Sequence, residues 1–179
     1  MIEVPATETA TALVLRPWLE RDIPALVQAH KDPAMRRWLM RHFEDEEQAR
    51  AAIEIQEQEW AERTRFVFAV TSPDGPDPIG SVMIRRIHKA PDAAEVGYWT
   101  APEARGASVA GRAAEAALRW TLDQWAADGV HITRLELIHT LGNAASCRVA
   151  QKLGFEFAQD LPAFPPKFPN PGHLHVRSI

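Results

Sequence analysis

Three short stretches of this chain carry residue types that could do chemistry. The first is Arg105-Gly106-Ala107-Ser108-Val109-Ala110, which follows a run of strand-forming residues and opens an Ala-rich helix. The first N–H groups of a helix lack internal partners and sit at the positive end of its dipole. A strand feeding a small-residue loop into a helix therefore suits an anionic group such as a phosphate, with no Lys or Arg required. The second is Glu95, a carboxylate in the otherwise apolar run Val96-Gly97-Tyr98-Trp99-Thr100. It either faces solvent on an alternating strand or acts as a proton acceptor. The third is Asn143 with Ser146 three residues on. That is N-cap and N3 spacing, worth about 1 kcal/mol as a cap, and it leaves a hydroxyl on the first turn of a helix.

Other candidates are weaker. His173 and His175 alternate on one strand face and could ligate a metal, but no third ligand is suggested by the sequence, so no metal is expected. Cys147 follows Ser146 with no assignable base and reads as buried packing. Glu44 to Glu47 is an acidic run at a helix start, where it favours the dipole. Phe164, Pro165, Pro166 and Phe168 read equally as a lid over an acceptor site or as a connecting loop.

The elements that position these residues follow from periodicity. Residues 1–11 read as a loose tail. Strands are expected at Leu13–Arg16, Phe66–Val70, Ile79–Ile84, Glu95–Thr100, Leu135–Ile138, Phe155–Ala158 and His173–Ser178. Helices are expected from Asp22 to about His30, across Glu44–Arg63, from Ser108 to Ala127, and after Asn143 to a C-terminal glycine at Gly154. Within the third, Glu115 and Arg119 have i,i+4 spacing. The result is one α/β domain over residues 1–179, a mixed and mostly antiparallel sheet of six to seven strands with about four helices.

Composition bounds the function. At 179 residues with a net charge of −4, the chain lacks the basic face that nucleic acid demands. A single cysteine, Cys147, excludes an internal disulfide. No apolar stretch approaches the ~20 residues of a membrane span, and the N-terminus lacks a signal peptide's pattern. A cytoplasmic protein that touches neither membrane nor nucleic acid is expected.

The order Leu15-Arg16-Pro17-Trp18, Glu95-Val96-Gly97-Tyr98-Trp99, Arg105–Ala110, Asn143-Ala144-Ala145-Ser146 and Lys152-Leu153-Gly154-Phe155 resembles the GNAT superfamily of acetyl-CoA-dependent N-acetyltransferases. Within it the chain is similar to the ribosomal-protein alanine N-acetyltransferase branch. The resemblance implies acetyl-CoA as donor, direct attack of a primary amine through a tetrahedral intermediate, and a small-molecule amine or protein N-terminus as acceptor. A homodimer is compatible with it. It implies that Arg105, Gly106, Ala107, Ser108, Val109 and Ala110 hold the pyrophosphate, that Asn143 holds the pantetheine arm, and that a backbone N–H among Trp99, Thr100 and Ala101 meets the oxyanion. Glu95 would be the general base, and Ser146 would hydrogen-bond the departing thiolate. One departure stands out: Ser108 replaces a family glycine. If that position needs positive φ, serine costs about 1–2 kcal/mol there. A degenerate module that binds coenzyme A without catalysis is the alternative.

Overall fold

The computed structural model describes residues 1–166 and 168–179. One eight-stranded sheet runs through the chain: β1 (Ile2–Val4), β2 (Leu13–Pro17), β3 (Arg65–Ser72), β4 (Gly75–Ile87), β5 (Ala90–Thr100), β6 (Arg134–Thr140), β7 (Glu156–Leu161) and β8 (Gly172–Ser178). Their spatial order is β1-β2-β3-β4-β5-β6-β8-β7. Every pairing is antiparallel except β5 with β6. The single parallel pair arises because α4 (Val109–Ala127) crosses over between them.

Two hydrophobic layers sandwich the sheet. On one face α4 and α5 (Ala144–Lys152) cover Leu13, Leu15, Phe66, Phe68, Val96, Leu135 and Leu137. Ala113, Ala114 and Ala117 are fully buried, and their small side chains let α4 lie close against the strands. On the other face α1 (Ile23–His30) and α3 (Glu46–Ala61) pack Leu26, Val27, Ala49 and Ile53 against Trp18, Val67 and Ala69. Strand alternation sends successive residues to opposite layers, so neighbouring positions on β5 serve different sides. No helix among the described residues is long and apolar enough to cross a membrane.

The structure departs from the sequence expectations at several points. The segment expected as a loose tail contains β1, whose Ile2 and Val4 pack on the main core. Arg112 on α4 fastens it by donating to the carbonyls of Pro5 (2.6 Å) and Thr11 (2.7 Å). Asp22 makes no capping bond for α1. Its carboxylate instead takes the Arg16 guanidinium at 2.6 and 2.9 Å. Asp32-Pro33 follows the end of α1 and starts an unexpected helix, α2 (Pro33–Trp38), with Asp32 accepting from the Met35 N–H. Glu115 pairs with Arg177 (2.9 Å) across to β8, a partner that its i,i+4 spacing to Arg119 conceals.

Candidate active site

The site begins where β5 and β6 part. Their pairing covers only Ala93–Val96 against Arg134–Leu137. Beyond it β5 keeps its partner β4, and β6 keeps β8. The backbone groups on the facing edges of the splay are thereby released. Ala101 donates to Ile79 at 2.9 Å. Antiparallel bonding alternates along a strand, so Trp99 also faces β4, while Tyr98 and Thr100 present their N–H groups to the open edge. Of Trp99, Thr100 and Ala101, only Thr100 has its N–H available to an oxyanion. This narrows the sequence expectation.

Asn143 caps α5 by accepting the Ser146 N–H at 3.1 Å. The cap fixes the first turn, and the Ser146 hydroxyl then lies 2.8 Å from the Tyr98 hydroxyl. Burial pushes the Tyr98 phenol up to about 12, with the Ser146 hydrogen bond pulling the other way. Tyr98 is therefore neutral at physiological pH and can donate. Passing its proton to a thiolate of pKa about 8.5 would be uphill by roughly 5 kcal/mol. Tyr98 orients Ser146 by a hydrogen bond rather than by giving up a proton. Sequence reasoning saw Tyr98 only as a strand former.

The loop into α4 has two left-handed residues, Gly106 (φ 83) and Ser108 (φ 57). Ser108 stands at the N-cap without making a capping bond. Serine does occupy a conformation that glycine adopts freely. Ser108→Gly should therefore raise the unfolding free energy by about 0.5–1 kcal/mol. That is the relief of left-handed strain less the added chain entropy of glycine. Denaturant titration checks it; a destabilised variant would show that the Ser108 hydroxyl holds the loop. Arg105 donates to the Thr100 carbonyl at 3.3 Å and pairs with Asp32. That contact holds the Asp32 carboxyl below the usual range. The Arg105 guanidinium is thus tied to β5 and α2.

A cavity of about 730 Å³ opens beside Ser108 between α4 and α5. Gly111 leaves one wall bare, while Arg112, Arg119, Lys152 and Arg177 add positive charge. Among the described residues Arg119 and Lys152 make no ion pair. The unpartnered N–H groups at the start of α4, the small residues of the loop and these two cations suit a pyrophosphate with further phosphate charge. The residues present therefore fit coenzyme A. Arg119 and Lys152 come from different helices, so their convergence on one cavity is not visible in the linear chain.

On the opposite face of the sheet Glu95 lies 2.6 Å from Arg85, its register partner on β4, with its side chain 16% exposed. Glu136 on β6 is in register with Glu95 and is held by Arg134 at 2.6 Å. Two carboxylates thus stand side by side where the splay begins. Glu95 is neither a plainly solvent-facing residue nor one sealed in an apolar pocket. Farther along the same face, Trp99 packs with Trp18 (6.0 Å between ring centres) and His30 (5.7 Å). His30 also meets Phe43 at 4.7 Å.

His30 is 3% exposed with both ring nitrogens unpartnered. Burial, and then the nearby His42 and Arg36, lower its pKa to about 4. The unfolded chain therefore binds a proton between pH 6.5 and 4 that the folded protein refuses. The stability associated with neutral His30 is complete above pH 6.5 and is lost as pH falls, by about 3 kcal/mol below pH 4. His30→Phe should reduce this loss while keeping the ring contacts. Melting temperatures from pH 7.5 to 4 test it, and parallel curves for both proteins would refute it.

A splayed parallel pair between β5 and β6, with an anion-binding loop and helix beside it, defines an acyltransferase of the coenzyme A class. Residues 12–156 match the family described as "Acetyltransferase (GNAT) domain", and the chain belongs to that family. No curated protein sequence matches it. It is similar in structure to a Salmonella typhimurium acetyltransferase that modifies the N-terminal serine of 50S ribosomal subunit protein L7/L12. That likeness has 19% identity, a TM-score of 0.77 and 99% coverage of each chain. A putative ribosomal-protein-serine acetyltransferase from Vibrio cholerae is similar at 18% identity and a TM-score of 0.77, over 99% of this chain and 97% of that one. RimJ from Mycobacterium smegmatis, in complex with CoA-disulfide, is similar at 20% identity and a TM-score of 0.77. Coverage there is 95% of this chain and 83% of the other.

Proposed function

We propose that this chain transfers the acetyl group of acetyl-CoA to the primary amine of a protein N-terminus by direct attack. The observation that carries the reading is the β5–β6 splay, which has hydroxyls on one side and carboxylates on the other. Acetyl-CoA supplies the acetyl group as an activated thioester. Arg119, Lys152 and the start of α4 would hold its phosphates, with Asn143 beside the pantetheine arm.

The chain's own residues divide the remaining work. The Thr100 N–H, on the open edge of β5, stabilises negative charge on the carbonyl oxygen. Ser146, held by Tyr98, turns its hydroxyl hydrogen toward the departing sulfur. Glu95 takes the proton from the attacking amine. The similar Salmonella typhimurium structure, which modifies the N-terminal serine of a ribosomal protein, favours a peptide acceptor over a free small amine.

The test is free-thiol release from acetyl-CoA with a panel of amines. The panel covers short peptides with N-terminal Ser or Ala, amino sugars and polyamines. Acetylated peptide identified by mass spectrometry supports the reading. Coenzyme A binding with no turnover on any amine would favour a non-catalytic module. Turnover on polyamines alone would overturn the peptide acceptor.

A further inference from the structure

The antiparallel register of β6 with β8 sets His139 opposite His173 and Leu137 opposite His175. Alternation sends all three imidazoles to the face that α5 crosses, and α5 brings Cys147 down onto them. The His139 Nε2 lies 3.1 Å from the His175 Nε2. The Cys147 Sγ lies 3.8 Å from that same nitrogen. One ligand atom from each of His139, Cys147, His173 and His175 falls within 4.8 Å of the other three. The third ligand that the sequence did not suggest is present, and so is a fourth. Cys147 is half-buried beside a histidine rather than fully buried as the sequence suggests.

We propose that these four side chains form a closed site for one divalent transition metal of the zinc class, tying β6, β8 and α5 together beside the splayed end of β6. The distances suit it. Tetrahedral zinc with bonds of about 2.0–2.1 Å to nitrogen and about 2.3 Å to sulfur needs N···N edges of about 3.3 Å and N···S edges of about 3.6 Å. The separations of 3.1 and 3.8 Å bracket these values, and a pair at the 4.8 Å limit needs a closure of about 1 Å. Three imidazoles and a thiolate with no carboxylate among them select zinc-like ions over magnesium or calcium. Four protein ligands leave no open position, so the site is structural.

The hydrogen bonds outside the cluster set the tautomers. The His139 Nδ1 lies 3.0 Å from the Thr140 carbonyl. A carbonyl only accepts, so Nδ1 carries the hydrogen and the lone pair is on Nε2, the atom that faces His175. The His173 Nε2 lies 3.3 Å from the Asp160 carboxylate. That places its hydrogen outward and its lone pair on Nδ1, which is buried without a protein partner. Carbonyl and carboxylate partners of this kind orient metal-ligating histidines. Binding would release the thiol proton of Cys147 to solvent, and nothing is oxidised or reduced.

The experiment uses the full chain without a polyhistidine tag, stripped with a chelator and titrated with Co²⁺. One equivalent should produce the intense visible bands of tetrahedral Co²⁺ and a near-ultraviolet thiolate-to-cobalt band, and Zn²⁺ should bleach both. Cys147→Ser should abolish the thiolate band. His173→Gln should weaken binding at least tenfold, and Asp160→Asn about tenfold. Zn²⁺ should raise the melting temperature of the wild type and not of Cys147→Ser. A pale octahedral spectrum, a wild type that binds no metal, or a thiolate band that survives Cys147→Ser would each overturn the proposal. The readout is spectroscopic and does not depend on acetyltransferase activity.

Discussion

Glu95→Gln is expected to lower kcat by roughly 10²–10⁴-fold with coenzyme A affinity unchanged. The substitution keeps the shape of the side chain, and its carbonyl oxygen can still accept from Arg85, so the strand pairing survives. What disappears is the group proposed to take the amine proton. The residual rate should recover as pH rises, because an amine that has lost its own proton needs no base. The pH of recovery also reports the acceptor. A protein α-amine titrates near 7.7–8.0 and a lysine-like amine near 10.4, so recovery by about pH 8 would favour an N-terminal acceptor. Glu136 provides an internal control, since it shares the face and the register but is held by Arg134. The measurement is a pH–rate profile of wild type, Glu95→Gln and Glu136→Gln. Full activity of Glu95→Gln at neutral pH, with a large loss in Glu136→Gln, would move the base to Glu136. Full activity in both would leave alignment of an already neutral amine as the source of acceleration.

The parts of this site that the sequence revealed are local in the chain. The Asn143–Ser146 cap spans three residues and needs no tertiary information. Gly154 sits at φ 75 just past α5, where a helix C-terminus calls for a left-handed residue. Ser108 stands out because the GNAT resemblance puts a glycine at its position, and its φ of 57 gives that departure physical content. The helices and strands with strong periodicity, α3, α4 and β3 among them, lie within a few residues of their expected limits.

What sequence reasoning missed depends on residues that meet only through the sheet. The Arg105 guanidinium meets Asp32 only because α2 brings that carboxylate beside the loop. Glu136 looks like an ordinary alternating strand residue until the parallel register aligns it with Glu95. The histidine–cysteine cluster needs β8 to insert between β6 and β7, an order that local patterning does not specify. The first eleven residues have a weak apolar pattern of their own. They form β1 because Arg112, a hundred residues away, binds the carbonyls of Pro5 and Thr11. Among the described residues the eight strands and five α-helices exceed the expected numbers through β1 and α2. Both are too short to give a periodic signal.

Asp22→Ala is expected to cost about 3–5 kcal/mol of stability, the largest single effect expected outside the active site. Asp22 is 2% exposed and Arg16 9% exposed, and the guanidinium meets the carboxylate in a two-pronged contact of 2.6 and 2.9 Å. The carboxylate also accepts the Leu19 N–H at 2.9 Å, and Arg16 donates to the Pro17 carbonyl at 3.1 Å. The pair thus joins β2 to the turn before α1 and gives both charges protein partners. Removing the carboxylate leaves a buried guanidinium with only weak carbonyl partners, and that exposed cost dominates. The net stabilisation by the intact pair is much smaller, because desolvating both ions offsets most of their attraction. The double variant Arg16→Met/Asp22→Leu should therefore recover most of the loss, although it has two changes where Asp22→Ala has one. Urea unfolding gives both numbers. For a chain of this size the single variant should melt roughly 6–20 °C below wild type. A loss under about 1 kcal/mol in Asp22→Ala would mean that water reaches the guanidinium. A double variant as unstable as the single one would mean that the hydrogen-bond geometry, rather than charge compensation, holds β2 against the turn.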